Sequence, residues 1–151
     1  MERRFNLLFV ALIITLLGLS ACGVTATQNS FIDQEDPVRN PGVPEEFAGL
    51  ANPFTGNPDA IAEGEILYQA NCSSCHGFTG EGDGPASAGL DPKPTNLAEN
   101  QPDLSDAYLY WRIFEGGLME PFNSLMPGWK GLLSEERIWQ VIAFLRTMVV
   151  L

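Results

Sequence analysis

The chain has 151 residues, 45% of them hydrophobic and 18% charged, and its 19 acidic against eight basic residues leave a formal net charge of −11. That length holds one domain with appendages, and the acidity argues against binding nucleic acid or adsorbing directly to anionic lipid. It suits a partner with a basic docking patch, or simply a well-solvated acidic surface.

Met1-Glu2-Arg3-Arg4 is a short basic start, and Phe5 to Leu17 is an apolar run broken only by Asn6 and Thr15. A bilayer-spanning helix needs roughly 20 apolar residues, so the run is short for that task and fits an export signal. Leu19-Ser20-Ala21-Cys22 resembles the bacterial lipobox, which implies cleavage after residue 21 and lipidation of Cys22. An ordinary cleavage site with an incidental thiol, or an uncleaved helical anchor, are the alternatives. Loss of Glu2, Arg3 and Arg4 with the leader would take the net charge from −11 to −12. Acyl chains contribute about 0.8 kcal/mol per buried CH₂, so several would hold the protein firmly on a bilayer.

Residues 22–57 read as a tether. Pro37, Pro41, Pro44 and Pro53 interrupt a stretch with few apolar residues in any period, so a disordered or extended chain spanning roughly 30 Å is expected. Phe47, Leu50 and Phe54 offer a means for its last part to lie on the folded domain or on a neighbour. The domain itself is expected over 58–151. Asn57-Pro58 signals a helix start, with Asn as N-cap and Pro at the first helical position; Ile61, Gly64 or Glu65, and Tyr68 recur at helical spacing up to Asn71. A second helix is predicted from Ser105 to Phe114, closed by Gly116-Gly117, with Leu104, Tyr108, Trp111 and Leu109 on its apolar side. A third begins at Ser134, where Glu135 and Glu136 complement the macrodipole; Ile138, Val141, Ile142 and Leu145 form its buried face, flanked by Trp139 and Phe144. Gly77 to Asn100 is rich in Gly and Pro and reads as loop. The fold class is therefore all-α with long loops, and so small and loop-rich a domain is marginal unless a large apolar ligand completes its core.

Cys72-Ser73-Ser74-Cys75-His76 is the spacing of covalent c-type haem attachment. Two thiols add to the two porphyrin vinyl groups, and the adjacent imidazole lies beneath the iron. A disulfide, a thioredoxin-like pair and half of a zinc site compete with this reading. Zinc lacks further Cys or His ligands beyond Cys22, and a thioredoxin-like pair lacks its βαβ context.

From the motif together with Gly64, Tyr68 and Val141-Ile142-Ala143-Phe144-Leu145-Arg146, residues 61–151 resemble a class I cytochrome c domain. The resemblance implies a cytochrome c fold of three to four short helices and long loops wrapped around one covalent haem c. It also implies that the first and last helices cross closely, Gly64 and Tyr68 meeting Val141 and Phe144. His76 is the only histidine, so a bis-histidine haem within this chain is excluded, and the second axial ligand is expected to be a thioether, with an open or otherwise ligated iron as the alternative. Met126, in a Met-Pro-Gly-Trp segment that resembles one common in bacterial members, is favoured over Met119; Met148 reads as packing. Proline after the ligand stiffens its loop. Pro85 is the expected carbonyl acceptor for the His76 ring N–H. Thr95, Asn96, Lys93 or Trp129 are candidates to hydrogen-bond a propionate, with turn chemistry and packing as the alternative.

A filled sixth position points to outer-sphere electron transfer rather than catalysis at iron. The expected protein is a single-electron carrier, lipid-anchored on the periplasmic face of a bacterial membrane, in a respiratory or photosynthetic chain. Its partners would be redox proteins or a multi-subunit membrane oxidoreductase complex, with no small-molecule substrate. The overall layout also resembles the monohaem subunit of alternative complex III and tethered donors to terminal oxidases. A haem enzyme or sensor with a displaceable Met126, and a purely structural haem lipoprotein, are the other readings.

Overall fold

We describe residues 42–148 of a computed structural model; the expected leader, Cys22 and the tether up to residue 41 lie outside the described residues, as do residues 149–151. The described chain forms α1 (Pro58–Asn71), α2 (Ser73–His76), α3 (Leu97–Asn100), α4 (Asp106–Glu115) and α5 (Glu135–Leu145), with 3-10 turns at Glu45–Phe47 and Gln101–Asp103. No strand occurs among these residues, which hold one isolated bridge between Lys130 and Leu133.

The helix starts are set by side-chain caps. Asn57 accepts from the amides of Asp59 and Ala60, both at 3.0 Å, with Pro58 at the first helical position. Ser105 caps α4 through the Tyr108 amide at 3.1 Å, and Ser134 caps α5 through the Arg137 amide at 3.3 Å. Asn57 thus satisfies two, and each serine one, of the four amides that a helix start leaves without an internal partner.

The core is the crossing of α1 on α5, the most extensive helix pairing of the fold. Tyr68, Ile138, Val141 and Ile142 are its largest fully buried side chains. A Cβ on Gly64 would lie 2.0 Å from the Gln140 carbonyl oxygen and 3.0 Å from Phe144 Cβ, so the two backbones meet where only glycine fits. One turn on, the rings of Tyr68 and Phe144 pack 5.4 Å apart, tilted by 52°. Phe144, one of the two expected partners, is thus met by both Gly64 and Tyr68, and the Gln140 carbonyl stands nearest to Gly64.

Helix α4 departs from the expected one-sided pattern: Ala107, Tyr108, Leu109, Tyr110, Trp111 and Ile113 are all buried. The second face is covered from upstream. Phe47 packs on Tyr110 and Phe114 at ring separations of 6.2 and 5.8 Å, and Tyr110 stacks on Trp139 at 4.4 Å. Asn52, also buried, donates from Nδ2 to the Trp139 carbonyl at 2.9 Å, and its amide donates to Asp106 Oδ2 at 3.0 Å. Packing on the helices therefore extends upstream of Pro58 as far as Val43, and the Phe47 and Phe54 stretch lies on the folded domain.

Asp106 also receives Arg146, whose Nη2 approaches Oδ1 at 2.6 Å and donates to the Leu104 carbonyl at 2.7 Å. The Gln101 carbonyl takes a further Arg146 N–H. One guanidinium thus ties the end of α5 to the start of α4. No helix among the described residues is long and apolar enough to cross a membrane.

Candidate functional site

Helix α1 ends at Cys72, and the chain turns at once into α2, which carries Ser73, Ser74, Cys75 and His76. A helix end leaves its last carbonyls without intrahelical donors, and here the following loop supplies them. The amides of Ala86, Gly84 and Gly82 donate to the carbonyls of Ser74, Cys75 and His76 at 2.8, 3.2 and 2.8 Å. The buried hydroxyl of Tyr68 donates to the Gly77 carbonyl at 2.8 Å, fixing the same turn from the α1 side; its burial raises the Tyr68 pKa above the usual range. The Gly-Asp-Gly-Pro segment is thus a clamp on the backbone of the Cys-x-x-Cys-His turn, a role that its glycine content alone did not reveal.

Cys72 and Cys75 are both half-buried free thiols. Burial, and then the neighbouring Cys75, push the Cys72 thiol up to about 12. His76 is half-buried with Nδ1 3.2 Å from the Thr95 carbonyl. A carbonyl can only accept, so Nδ1 carries the ring proton and Nε2 keeps its lone pair; no described residue hydrogen-bonds Nε2. Burial holds the imidazole pKa below its usual value, the Thr95 hydrogen bond offsetting this in part. The neutral, ligating form is therefore the favoured one.

The expected acceptor at Pro85 is accordingly corrected to Thr95. Pro85 is exposed, in the loop that clamps α2, whereas Thr95 reaches the imidazole because the Leu97 amide bonds to the Gly80 carbonyl at 2.6 Å and folds residues 94–97 back onto the turn. Asn96 is engaged as the N-cap of α3, its side chain accepting from the Glu99 amide at 3.0 Å, which leaves only its amide N–H groups to donate elsewhere. Lys93 and Thr95 are exposed, and Trp129 is half-buried against the core.

Met126 lies in the loop between α4 and α5. The amides of Trp129 and Lys130 donate to the Ile113 and Phe114 carbonyls, both at 3.0 Å, and the Gly117 amide donates to the Met126 carbonyl at 2.9 Å. A Cβ on Gly116 (φ +82°) would lie 2.4 Å from the Gly128 amide nitrogen, so Met126-Pro127-Gly128 rests directly on the end of α4. Met119 is differently employed: its sulfur is 3.8 Å from Nη1 of Arg112, whose guanidinium lies over the Phe122 ring at 3.3 Å and also bonds the Gly116 carbonyl. Arg112 thereby organises residues 116–122, a role not foreseen from sequence. Met148 is buried, with its sulfur beside Gly80.

The chemistry of the donor set tests what could be held here. Two unpaired thiols three residues apart and an imidazole with a free Nε2 fit a covalently attached porphyrin iron. They do not fit zinc, since the described residues contain no group of three or more His, Cys, Asp or Glu able to hold a metal ion. Phe78, just after the His76 turn, and Leu118 and Leu125, in the loop that carries Met126, are exposed by 75%, 72% and 68%.

Comparison with known proteins agrees. Residues 59–145, more than half of the chain, match the family described as cytochrome c oxidase, cbb3-type, subunit III. The chain is 29% identical over 108 residues to a subunit of nicotinate dehydrogenase from Pseudomonas putida, covering 70% of this chain but 9% of that protein. Cytochrome cL from the marine methylotroph Methylophaga aminisulfidivorans superposes with a TM-score of 0.51 at 24% identity, over 66% of this chain and 59% of that one. A chain of the reducing HAO-like protein complex of Kuenenia stuttgartiensis gives 0.53 at 23% identity, over 68% and 48%. The chain thus spans less than two thirds of each of these proteins, and the structural likenesses speak to fold alone. With the fold, the donor set and the family match in agreement, the chain belongs to the cytochrome c family described as cbb3-type oxidase subunit III and is a class I c-type cytochrome with covalently bound haem c.

Proposed function

We propose that the protein is a single-electron carrier with one haem, attached through Cys72 and Cys75 and ligated by His76 and Met126, held on the outer face of a bacterial membrane through lipidated Cys22. In this reading it serves as a subunit or tethered donor in a respiratory or photosynthetic electron-transfer chain. The observation that carries it is the Cys72–His76 turn, with unpaired thiols and an imidazole pinned by Thr95 so that Nε2 is the free nitrogen. When bound, the haem supplies a reversible one-electron couple. The residues of this chain do the rest. Thr95 fixes the His76 tautomer and ring orientation, which raises ligand basicity. Tyr68 and the 82–86 amides hold the attachment turn rigid, which limits reorganisation as the iron changes charge.

Met126 is supported over Met119 and Met148 because the Met119 sulfur lies 3.8 Å from Nη1 of Arg112 and Met148 is buried with its sulfur packed against Gly80. Its loop is anchored by the Gly117, Trp129 and Lys130 amides, so little ordering is needed to present the thioether. A thioether ligand raises the potential and leaves no open coordination position for a substrate. The mature Cys22 anchor and the following stretch would raise the local concentration of the domain at a membrane partner.

The test is a near-infrared spectrum of the ferric protein. A sulfur-to-iron charge-transfer band is expected, lost in Met126→Leu and retained in Met119→Leu. Loss in Met119→Leu with retention in Met126→Leu would overturn the ligand assignment. Incorporation of labelled glycerol or palmitate that vanishes in Cys22→Ser is expected for the anchor, and no incorporation in the parent would refute it.

A further inference from the structure

Arg112 stands one turn before the end of α4 and is half-buried. Neutral groups surround its guanidinium. Nη1 bonds the Gly116 carbonyl and lies 3.8 Å from the Met119 sulfur. The Tyr108 hydroxyl accepts from the same head, and the Phe122 and Trp111 rings lie 3.3 and 5.8 Å from it. Gly117 makes room for it, since a Cβ there would lie 3.0 Å from Nη2. A charge withdrawn from water is costly unless an opposite charge meets it, and burial holds this guanidinium's pKa below its usual value. The three acidic residues nearest to it in sequence are engaged elsewhere. Glu115 takes Lys130 at 3.3 Å, Glu120 takes Asn123 at 2.8 Å, and Asp106 takes Arg146, also half-buried, at 2.6 Å. Among the described residues no carboxylate pairs with Arg112.

We propose that Arg112 pairs with a haem propionate, so that one guanidinium holds both the Met126 loop and the edge of the porphyrin. The inference rests on the reading that puts Met126 over the iron, because that reading brings the haem against this loop. Position is the first support: Arg112 bonds Gly116, and the next amide, Gly117, donates to the Met126 carbonyl at 2.9 Å. The guanidinium and Met126 therefore belong to one folded unit. Charge is the second. A carbonyl, a hydroxyl, a thioether and ring faces occupy N–H donors without cancelling the cation, whereas a carboxylate does both. Haem is the resident group of this chain that brings carboxylates to the loop. Shape is the third, since the planar guanidinium fork matches a carboxylate with two parallel N–H donors. Of the residues that the sequence offered for this task, Thr95, Asn96 and Trp129 are neutral and Lys93 is exposed, so none of them brings a half-buried cation. Arg112 is a positioning residue in this role, and it keeps one propionate ionised.

The full-length, haem-loaded protein, carrying ¹³C in the propionate carboxyls and kept reduced in maltoside micelles, is titrated with acid and followed by ¹³C NMR. An opposite charge in contact lowers a carboxyl pKa by about one to three pH units. One propionate signal is therefore expected to move in the ordinary carboxylate range, near about pH 4–5, and the other at least about one pH unit lower. Arg112→Gln should bring the lower one up by about one pH unit or more, a tenfold or greater gain in proton affinity. Arg112→Lys should raise it by less, because an ammonium keeps the charge and loses the fork. Arg137→Gln, at an exposed position of α5, is the control and should change nothing. Two signals titrating together in the ordinary range in the parent, or a low one unmoved by Arg112→Gln, would overturn the proposal. If Arg112→Gln does not accumulate with haem, the parent titration and Arg112→Lys decide alone, and a low signal unmoved in the lysine variant overturns the pairing. The sulfur-to-iron band and its loss in Met126→Leu report ligation separately, so failure of the ligand reading and failure of this one are told apart.

Discussion

Replacing Gly64 by alanine adds one methyl group, and the fold says where it must go. The new Cβ would lie 2.0 Å from the Gln140 carbonyl oxygen and 2.6 Å from its carbon, whereas carbon–oxygen contacts settle near about 3.3–3.6 Å. Neither atom can step aside, because Gln140 is inside α5 and its carbonyl belongs to the helical ladder. The helices must therefore part by about 1 Å along the crossing that buries Tyr68, Val141 and Ile142. Overpacking costs about 1–3 kcal/mol; a backbone-on-backbone clash belongs at the top of that range, near 3. Alanine returns about 1 kcal/mol of helix propensity relative to glycine. The net loss is about 2 kcal/mol, which for a domain of this size is a fall in Tm of about 10 °C. Thermal unfolding of the haem-loaded protein, followed by far-ultraviolet circular dichroism, measures it. Glu65→Ala, on the exposed side of the same helix, should stay within about 0.5 kcal/mol of the parent. A Gly64→Ala protein as stable as the parent or more so would show that α1 and α5 do not touch at this point.

Other perturbations probe the rest of the scaffold. Tyr68→Phe removes the donor to the buried Gly77 carbonyl and should cost about 1–2 kcal/mol in denaturant melts at pH 7. Because the folded Tyr68 pKa lies above its ordinary 10.0, the unfolded chain loses the phenol proton first, so this contribution is intact below pH 10 and falls as pH rises beyond it; Tm measured from pH 8 to 12 should decline less steeply in Tyr68→Phe than in the parent. Arg146→Ala strands Asp106 and the carbonyls of Gln101 and Leu104. A loss of about 2 kcal/mol is expected by chemical denaturation, and a change below about 0.5 kcal/mol would mean the network adds nothing to stability. Phe47→Ala uncovers Tyr110 and Phe114 and should release residues 43–52 before the helices: hydrogen exchange at Asn52 rises while that of Val141 holds. Equal acceleration at both would refute a separately seated upstream segment.

Much of this architecture is legible from residue types because the devices are local. Asn57, Ser105 and Ser134 cap the helices that their identities announce, and Gly64 marks the crossing because only a missing side chain permits it. The Cys72–His76 spacing states its chemistry outright. What stayed hidden depends on atoms that every residue carries or on partners far away in the chain. The acceptor for His76 is a main-chain carbonyl, so nothing in the side chain of Thr95 distinguishes it from Pro85. Asn96 is equally suited to cap a helix or to bind a propionate, and the four-residue α3 takes it for the first. Phe47 sits in a proline-interrupted stretch without period, and the burial of Tyr110 on the second face of α4 depends on that distant ring. Arg112, which holds the loop after α4 from inside that helix, carries no sequence signal of that role.

Covalent attachment of one porphyrin at a single turn of chain underlies every functional conclusion drawn for this protein. Intact-mass spectrometry of the native protein, followed by proteolysis and haem absorbance of the separated peptides after denaturation, tests this directly. The expected result is a mass increased by one haem, carried entirely by the peptide that holds Cys72 and Cys75. A polypeptide of unmodified mass, haem that extracts into acid solvent, or a Cys72–Cys75 disulfide in the native protein would contradict it.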